Sequence, residues 1–341
     1  MQARVDEAAS TLSLTYLSHR TQCRLSERLN TQQPASMPCP PEIRDALSGP
    51  WPSIATPFTR DDQIDFDTLR SYLDFLIEQS RARAVVLTWG DSLYSLLTDD
   101  EIAEVTKVVV QHVGGRAFVV AADNQWPTVK GVAFARYCVE VGADMLMVLP
   151  PDWARSATVD SLVDHYGAIA EHIPVMLVTG YLMHRPIPFG LQLVTRLCRE
   201  VEGVMALKDD VGGELIRRVC LVAHEHWALC GGGLKQNHMN MVPYGADGYL
   251  STYMSCKPEI AWRYWDAVQS GQLEVARDII RDYDFPLFEI LRRCEGGSDA
   301  GIHGMCELFG VMNRYRRSPY HSLTDPQMEQ LADELSRVGI L

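Results

Sequence analysis

From residue 51 onward the chain alternates with a regular beat that few folds accommodate. Apolar runs of strand length recur at 53–58, 84–89, 116–122, 145–150, 174–179, 204–208, 226–230 and 247–253. Between them lie apolar residues at helical spacing, as in Leu69, Tyr72, Leu73 and Leu76, in Val132, Ala135, Cys138 and Val139, and in Leu191, Val194, Leu197 and Cys198. A short continuous apolar run is the pattern of a strand buried on both faces. A three–four spacing is that of a helix covering it. Eight such units, about 20–35 residues apart, predict an α/β fold of the (β/α)8 TIM-barrel type. A doubly wound sheet is the alternative, disfavoured because no G-x-G-x-x-G follows the first run. Beyond residue 257 the pattern is purely helical, over 257–271, 272–295, 299–311 and 324–338. That is more helix than closing a barrel requires, so it predicts a C-terminal helical subdomain.

The division expected is an N-terminal extension over 1–46, a barrel over 47–256 and the helical subdomain over 257–341. In the extension, 9–17 and 22–29 are weak helix candidates, and Gln32 to Pro41 has the turn chemistry of a linker. Met37 offers a second possible start. A chain that is 47% hydrophobic and 22% charged suits a globular fold. A net charge of -13 argues against a nucleic-acid partner, because phosphate binding needs a basic face. The nine cysteines are scattered with no C-x-x-C pair, which reads as reduced thiols in a cytoplasmic protein. No apolar run reaches the ~18 residues of a membrane helix, and no apolar signal core opens the chain.

The run Val204-Met205-Ala206-Leu207 ends in Lys208, followed by Asp209 and Asp210. A lysine is rarely placed at the end of a buried strand. Desolvation eases loss of its proton, and the free amine attacks ketones to form Schiff bases. The plainer reading is that Lys208 reaches out into water. In a barrel, the residues at the C-terminal strand ends line the active site. Those positions are Thr56-Pro57-Phe58, Thr88-Trp89-Gly90-Asp91, Asp123-Asn124, Pro150-Pro151-Asp152, Val178-Thr179-Gly180-Tyr181, Lys208-Asp209-Asp210, Gly231-Gly232-Gly233 and Ser251-Thr252-Tyr253. Lys208 is the one lysine among them.

The chain resembles the dihydrodipicolinate synthase/N-acetylneuraminate lyase family, the Schiff-base-forming class I aldolases and lyases. Five features carry the resemblance. They are Ala55-Thr56-Pro57-Phe58 with Gln63-Ile64-Asp65, the segment from Val141-Gly142-Ala143-Asp144 to Pro150-Pro151, and Gly203 to Asp209 around Lys208. To these add Gly245-Ala246-Asp247-Gly248 and the ending from Arg317-Ser318-Pro319 through Thr324. The match spans about 50 to 341. It implies that Lys208 condenses with the keto group of a pyruvate-type 2-oxo acid, and that the iminium draws electrons from the adjacent bond. It also implies a homo-oligomer, dimer or tetramer, and no cofactor.

Two departures stand out. The family's G-[TS]-T-G-E motif reads Leu87-Thr88-Trp89-Gly90-Asp91, so Trp89 replaces the second hydroxyl residue. It either narrows the carboxylate pocket or packs on the barrel rim. The family's Y-N-x-P motif reads Val178-Thr179-Gly180-Tyr181, so Val178 stands where a proton-relaying tyrosine is expected. Tyr181 takes that part if the loop bends back; Tyr253, Thr179 or a water are other substitutes. The residues expected to act are therefore Lys208 and Tyr181. Those expected to bind substrate are Thr56, Thr88, Trp89, Gly90, Asp91, Thr179, Gly231, Gly232 and Ser251.

Weaker signals each carry a plainer reading. His184-Arg185 reads as a surface pair before a carboxylate site. His238, near Asn240, reads as a core or helix-surface residue before a ligand. The triple glycine reads equally as close approach to a ligand or as a loop needing positive φ. The functional expectation is a Schiff-base lyase, aldolase or dehydratase. The alternative is an altered member that binds 2-oxo acids without turnover. A third reading uses Asp91, Asp123 or Asp209 with a divalent metal, although no His/Cys cluster suggests one.

Overall fold

The computed structural model describes residues 38–341. The helix candidates at 9–17 and 22–29, and Met37, lie outside the described residues. A short helix α1 (Pro41–Ala46) precedes β1 (Gly49–Trp51). Seven further strands follow: β2 (Ala84–Val86), β3 (Phe118–Ala122), β4 (Met145–Val148), β5 (Val175–Val178), β6 (Val204–Asp209), β7 (Ala228–Gly231) and β8 (Gly248–Leu250). All pair in parallel in the order β1-β8-β7-β6-β5-β4-β3-β2. The ring closes just after β1, where Ser53 bridges Val86 and the Ile54 N–H donates to the Val86 carbonyl at 2.9 Å. The helix after each strand covers it, in order α2 (Phe66–Asp74), α3 (Asp99–Val113), α4 (Thr128–Val141), α5 (Val159–Ala170), α6 (Ile187–Glu200), α7 (Gly213–Ala223), α8 (Lys235–Met241) and α9 (Pro258–Gln269). This is the (β/α)8 barrel that the alternating pattern predicts.

Two local departures have physical causes. The first strand lies at 49–51 rather than 53–58. Pro52 and Pro57 lack an N–H, so the later segment makes only the Ser53 bridge and an antiparallel bridge from Phe58 to Ile64. At β8 a glycine is obligatory, because a Cβ on Gly248 would lie 2.1 Å from the Leu47 carbonyl oxygen. In β6 one residue is extra: Val175 pairs with Val204, but Met176 pairs with Ala206, leaving Met205 bulged. A bulge shifts every later residue by one and re-aims its side chain. It sets Lys208, rather than Leu207, opposite Val178.

Past α9 the chain is helical throughout: α10 (Leu273–Ile279), α11 (Phe285–Arg293), α12 (Gly297–Leu308) and α13 (Asp325–Arg337). The single amphipathic stretch read over 272–295 divides at a π-helical turn, Ile280–Asp284, just ahead of Pro286. That turn anchors the region to the barrel: Asp284, buried, accepts from the Lys235 ammonium at 2.6 Å and from the Lys235 N–H at 3.0 Å. Farther on, Arg317 lies over the Phe58 ring and donates to Glu101 at 2.8 and 2.9 Å. Among the described residues, no helix is long and apolar enough to cross a membrane.

Candidate active site

At the C-terminal ends of the strands a cavity of about 670 Å³ opens. Its floor carries Lys208, Val178, Met147 and Ala122, and its rim carries Trp89, Trp153 and His184. Lys208 is buried at 7% exposure, and among the described residues it is the one lysine on the wall. It therefore points into the barrel mouth rather than out into bulk water. Its ammonium pairs with Asp210, two residues on.

The turn after β6 is built to hold that pair. The Thr179 hydroxyl donates to Asp209 Oδ1 at 2.8 Å and accepts from the Asp210 N–H at 2.9 Å. Asp209 also accepts from the N–H groups of Val211 at 3.2 Å and Gly212 at 2.9 Å. Burial pushes the Asp209 carboxyl up while these donors pull it down. Gly232 closes the turn, donating its N–H to the Asp209 carbonyl at 2.6 Å. A Cβ there would lie 2.3 Å from Asp210 Oδ1 and 2.4 Å from the Asp209 carbonyl oxygen. Thr179 and Gly232 are thus supports of the lysine pair and do not line the cavity.

On the β2 side the wall is a tight turn. The Asp91 N–H donates to Thr88 Oγ1 at 3.0 Å, which leaves the Thr88 O–H as a donor toward the cavity. Among the described residues, the N–H groups of Trp89 and Gly90 have no acceptor. Trp89 stands at the mouth, 37% exposed, and donates its indole N–H to Asn124 Oδ1 at 2.8 Å. A Cβ on Gly90 would meet nothing within 4 Å.

Across the cavity, Asp123 ends β3 and lines the wall. It is 1% exposed. The Leu149 N–H donates to its Oδ1 at 2.9 Å, whereas Oδ2 has no partner among the described residues. Burial pushes its carboxyl up to about 7, against the pull of the Leu149 and Gln125 N–H groups.

The loop after β5 does bend back. A 3₁₀ turn, Gly180–His184, brings Tyr181 to the cavity wall, its hydroxyl 3.5 Å from that of Tyr166. Burial pushes the Tyr181 phenol well up. The neighbouring pair His184-Arg185 is no surface pair. His184 is exposed at the mouth, but Arg185 is buried, donating to both Asp152 oxygens at 2.8 and 2.6 Å and packing over Phe189. Its partner lies 33 residues earlier, which no local motif signals.

The structure brings Lys208, Tyr181, Thr88, Trp89, Gly90 and Asp91 to one cavity. Thr56, Thr179, Gly231, Gly232 and Ser251 fall outside its lining. Thr56 is fully buried and donates to the Ser92 carbonyl at 2.7 Å. Ser251 is buried with its hydroxyl unpaired among the described residues. Gly231 gives room to α8, where a Cβ would meet His238 at 3.1 Å. None of the three consecutive glycines adopts a left-handed φ, so the run serves close backbone approach within the protein. His238 is a core residue, 3.0 Å from the Tyr264 hydroxyl and stacked on Tyr249. Among the described residues, no group of three or more His, Cys, Asp or Glu side chains is arranged to hold a metal. Asp123 and Asp210 are wall residues that the sequence places at strand ends, Asp123 also as an acid for a metal, but not among the residues expected to act on or bind substrate. The sign available in the sequence was a carboxylate at a strand end.

Comparison with known proteins follows the same outline. The sequence model of the Dihydrodipicolinate synthetase family matches residues 46–338. The 4-hydroxy-tetrahydrodipicolinate synthase of Methanococcus maripaludis is 25% identical over 300 residues, covering 86% of this chain and 100% of that one. A protein named probable 5-dehydro-4-deoxyglucarate dehydratase, from a Bradyrhizobium species, is 28% identical over 286 residues, covering 81% and 87%. The structure of dihydrodipicolinate synthase from Bacteroides thetaiotaomicron superposes with a TM-score of 0.75 at 19% identity, over 88% of this chain and 100% of that one. N-acetylneuraminate lyase from Mycoplasma synoviae does so with a TM-score of 0.74 at 17% identity, over 87% and 99%.

Proposed function

The chain belongs to the dihydrodipicolinate synthetase family, and from that premise we propose that it is a Schiff-base lyase, aldolase or dehydratase acting on a pyruvate-type 2-oxo acid. The observation that carries this reading is Lys208, a buried amine on the wall of the barrel's cavity and the one lysine among the described residues there. As free base the amine adds to the substrate keto carbon, and loss of water gives an iminium. The iminium accepts the electron pair of the neighbouring C–C or C–H bond as that bond breaks, giving an enamine. In a dehydratase the enamine's electrons then form the new C=C bond and expel a hydroxyl from the next carbon, which leaves with its bonding pair and a proton as water. The Thr88 O–H and the N–H groups of Trp89 and Gly90 are donors suited to the substrate carboxylate. Tyr181 is a hydroxyl on the same wall. Relatives carry the names of a synthase and of a dehydratase, and both chemistries begin from the same iminium in this reading.

Borohydride reduction in the presence of pyruvate tests it. A stable adduct should form on Lys208, and K208A should abolish it. An unlabelled wild type, beside a family enzyme that labels in parallel, removes the reading. A second reading is a protein that binds 2-oxo acids without turnover, favoured by Val178 standing directly beside Lys208. It predicts thermal stabilisation by 2-oxo acids with no product formed, and turnover gained in V178T or V178Y. We take the working form to be a homo-oligomer, dimer or tetramer, which light scattering reads directly. A cytoplasmic site of action fits the eight described cysteines, all free thiols.

A further inference from the structure

Schiff-base formation needs a proton delivered to the carbinolamine hydroxyl before it can leave as water. The residue beside Lys208 where such a group would be nearest is Val178, which has no proton to give. The floor next to it is also inert, with Met147 and Ala122. Four acids line the cavity, Asp91, Asp123, Asp152 and Asp210. Asp152 and Asp210 are paired with Arg185 and Lys208, and of the four only Asp123 has a buried carboxylate oxygen without a partner among the described residues. Asp123 ends β3, separated from β6 in the ring by β4 and β5. Its Oδ1 is fixed by the Leu149 N–H, which orients the carboxyl, and its Oδ2 is buried without a partner among the described residues. A buried polar atom left unpaired is costly unless something else supplies its partner. A bound ligand in the adjoining cavity is such a partner.

Resting on the Schiff-base reading, we propose that Asp123 is the acid–base group of this site. Its Oδ2–H protonates the carbinolamine hydroxyl, which departs as water while the nitrogen lone pair forms the C=N bond of the iminium. The resulting carboxylate takes a proton back from the water that later hydrolyses the iminium, so the acid is restored and nothing else is consumed. The surroundings suit the task. The titratable groups around Asp123 are Tyr94 after β2, Cys138 on α4 and Tyr166 on α5, all pushed up by burial and so neutral near pH 7. Across the cavity Lys208 with Asp210 and Arg185 with Asp152 are paired, and Asp91 and His184 line the same cavity. Only the Leu149 and Gln125 N–H groups oppose the burial of Asp123, and the balance pushes its carboxyl up to about 7, where an acid–base group is most effective. Tyr181 is the rival, but its phenol is pushed far above that range by burial.

The test uses the whole chain and pyruvate as probe. Enamine formation exchanges the pyruvate methyl protons with D2O, which proton NMR follows without knowledge of the natural substrate. D123N keeps an acceptor for the Leu149 N–H but carries no acid. We expect it to slow exchange by about 100-fold or more, to retain slow borohydride labelling of Lys208, and to lose the descending limb of rate against pH near 7. D123E should recover part of the rate. Should D123N not fold by circular dichroism, D123S is read the same way. Exchange by D123N at the wild-type rate with the limb intact, or a loss confined to Y181F, overturns the assignment while the Schiff-base reading stands. A wild type that does not label at all overturns that reading and the role of Asp123 with it.

Discussion

The two sides of the cavity treat buried charge in opposite ways. On the β5–β7 side the groups around Lys208 hold one another. Asp210 faces the ammonium, Thr179 bridges Asp209 and Asp210, and Gly232 locks the turn beneath them. On the β3 side only the backbone N–H groups of Leu149 and Gln125 act on Asp123, and its Oδ2 has no hydrogen-bond partner among the described residues. Hydrogen bonds and opposite charge keep an acid ionised, and burial without them keeps it protonated. The same residue type thus becomes a counter-ion on one wall and a proton donor on the other. The cause is the neighbourhood, not the side chain.

The largest effect should come from making a paired acid lonely. The Asp152 side chain is 7% exposed, and Arg185 grips both its oxygens. R185A removes the partner and leaves the carboxylate stranded, so unfolding in urea should report a loss of about 3–5 kcal/mol. A loss under about 1 kcal/mol would mean that Asp152 does not depend on its pair. Next comes the locked turn. G232A forces a Cβ into the Asp209 carbonyl and the Asp210 carboxylate, and overpacking of this kind costs about 1–3 kcal/mol. It should also slow borohydride labelling of Lys208, while G233A, whose Cβ would only touch Leu250 at 3.6 Å, should change neither. Equal behaviour of the two variants would break the contrast.

The pH dependence of stability is the most diagnostic. Burial raises Asp123 from 3.8 in the unfolded chain to about 7 in the folded one. Between those values the folded state keeps a proton that the unfolded state has lost, so this group's contribution to stability falls as pH rises. The urea midpoint of wild type, compared with D123N, should therefore decline from pH 4 to pH 7. Parallel curves would show that Asp123 is solvated after all.

How much of this was legible depended on how local the cause was. The alternation of strand-length and helical runs is a local signal, and it led directly to the barrel and to the strand end that carries Lys208. The first strand was displaced by a few residues because an apolar run broken by Pro52 and Pro57 reads as strand but cannot donate to a ladder. Thr56 and Ser251 were chosen because they end strands, but a strand end fixes only height on the barrel. Whether a hydroxyl faces the cavity or a neighbouring carbonyl, as Thr56 faces Ser92, depends on packing. Arg185 looked like a surface residue because its partner Asp152 is distant in sequence. Asp123 looked like any polar strand end, since nothing adjacent tells that Tyr94, Cys138 and Tyr166 enclose it.

The bulge at Met205 has a consequence for how such a site changes over time. With the ladder of β5 and β6 in uninterrupted register, Leu207 would stand opposite Val178, and the cavity would present a hydrocarbon where it now presents an amine. Threading the same residues without the bulge would take the amine from its place while leaving every side chain in the sequence. The strand works as a reading frame, and which side chain meets the cavity is set as much by counting as by composition.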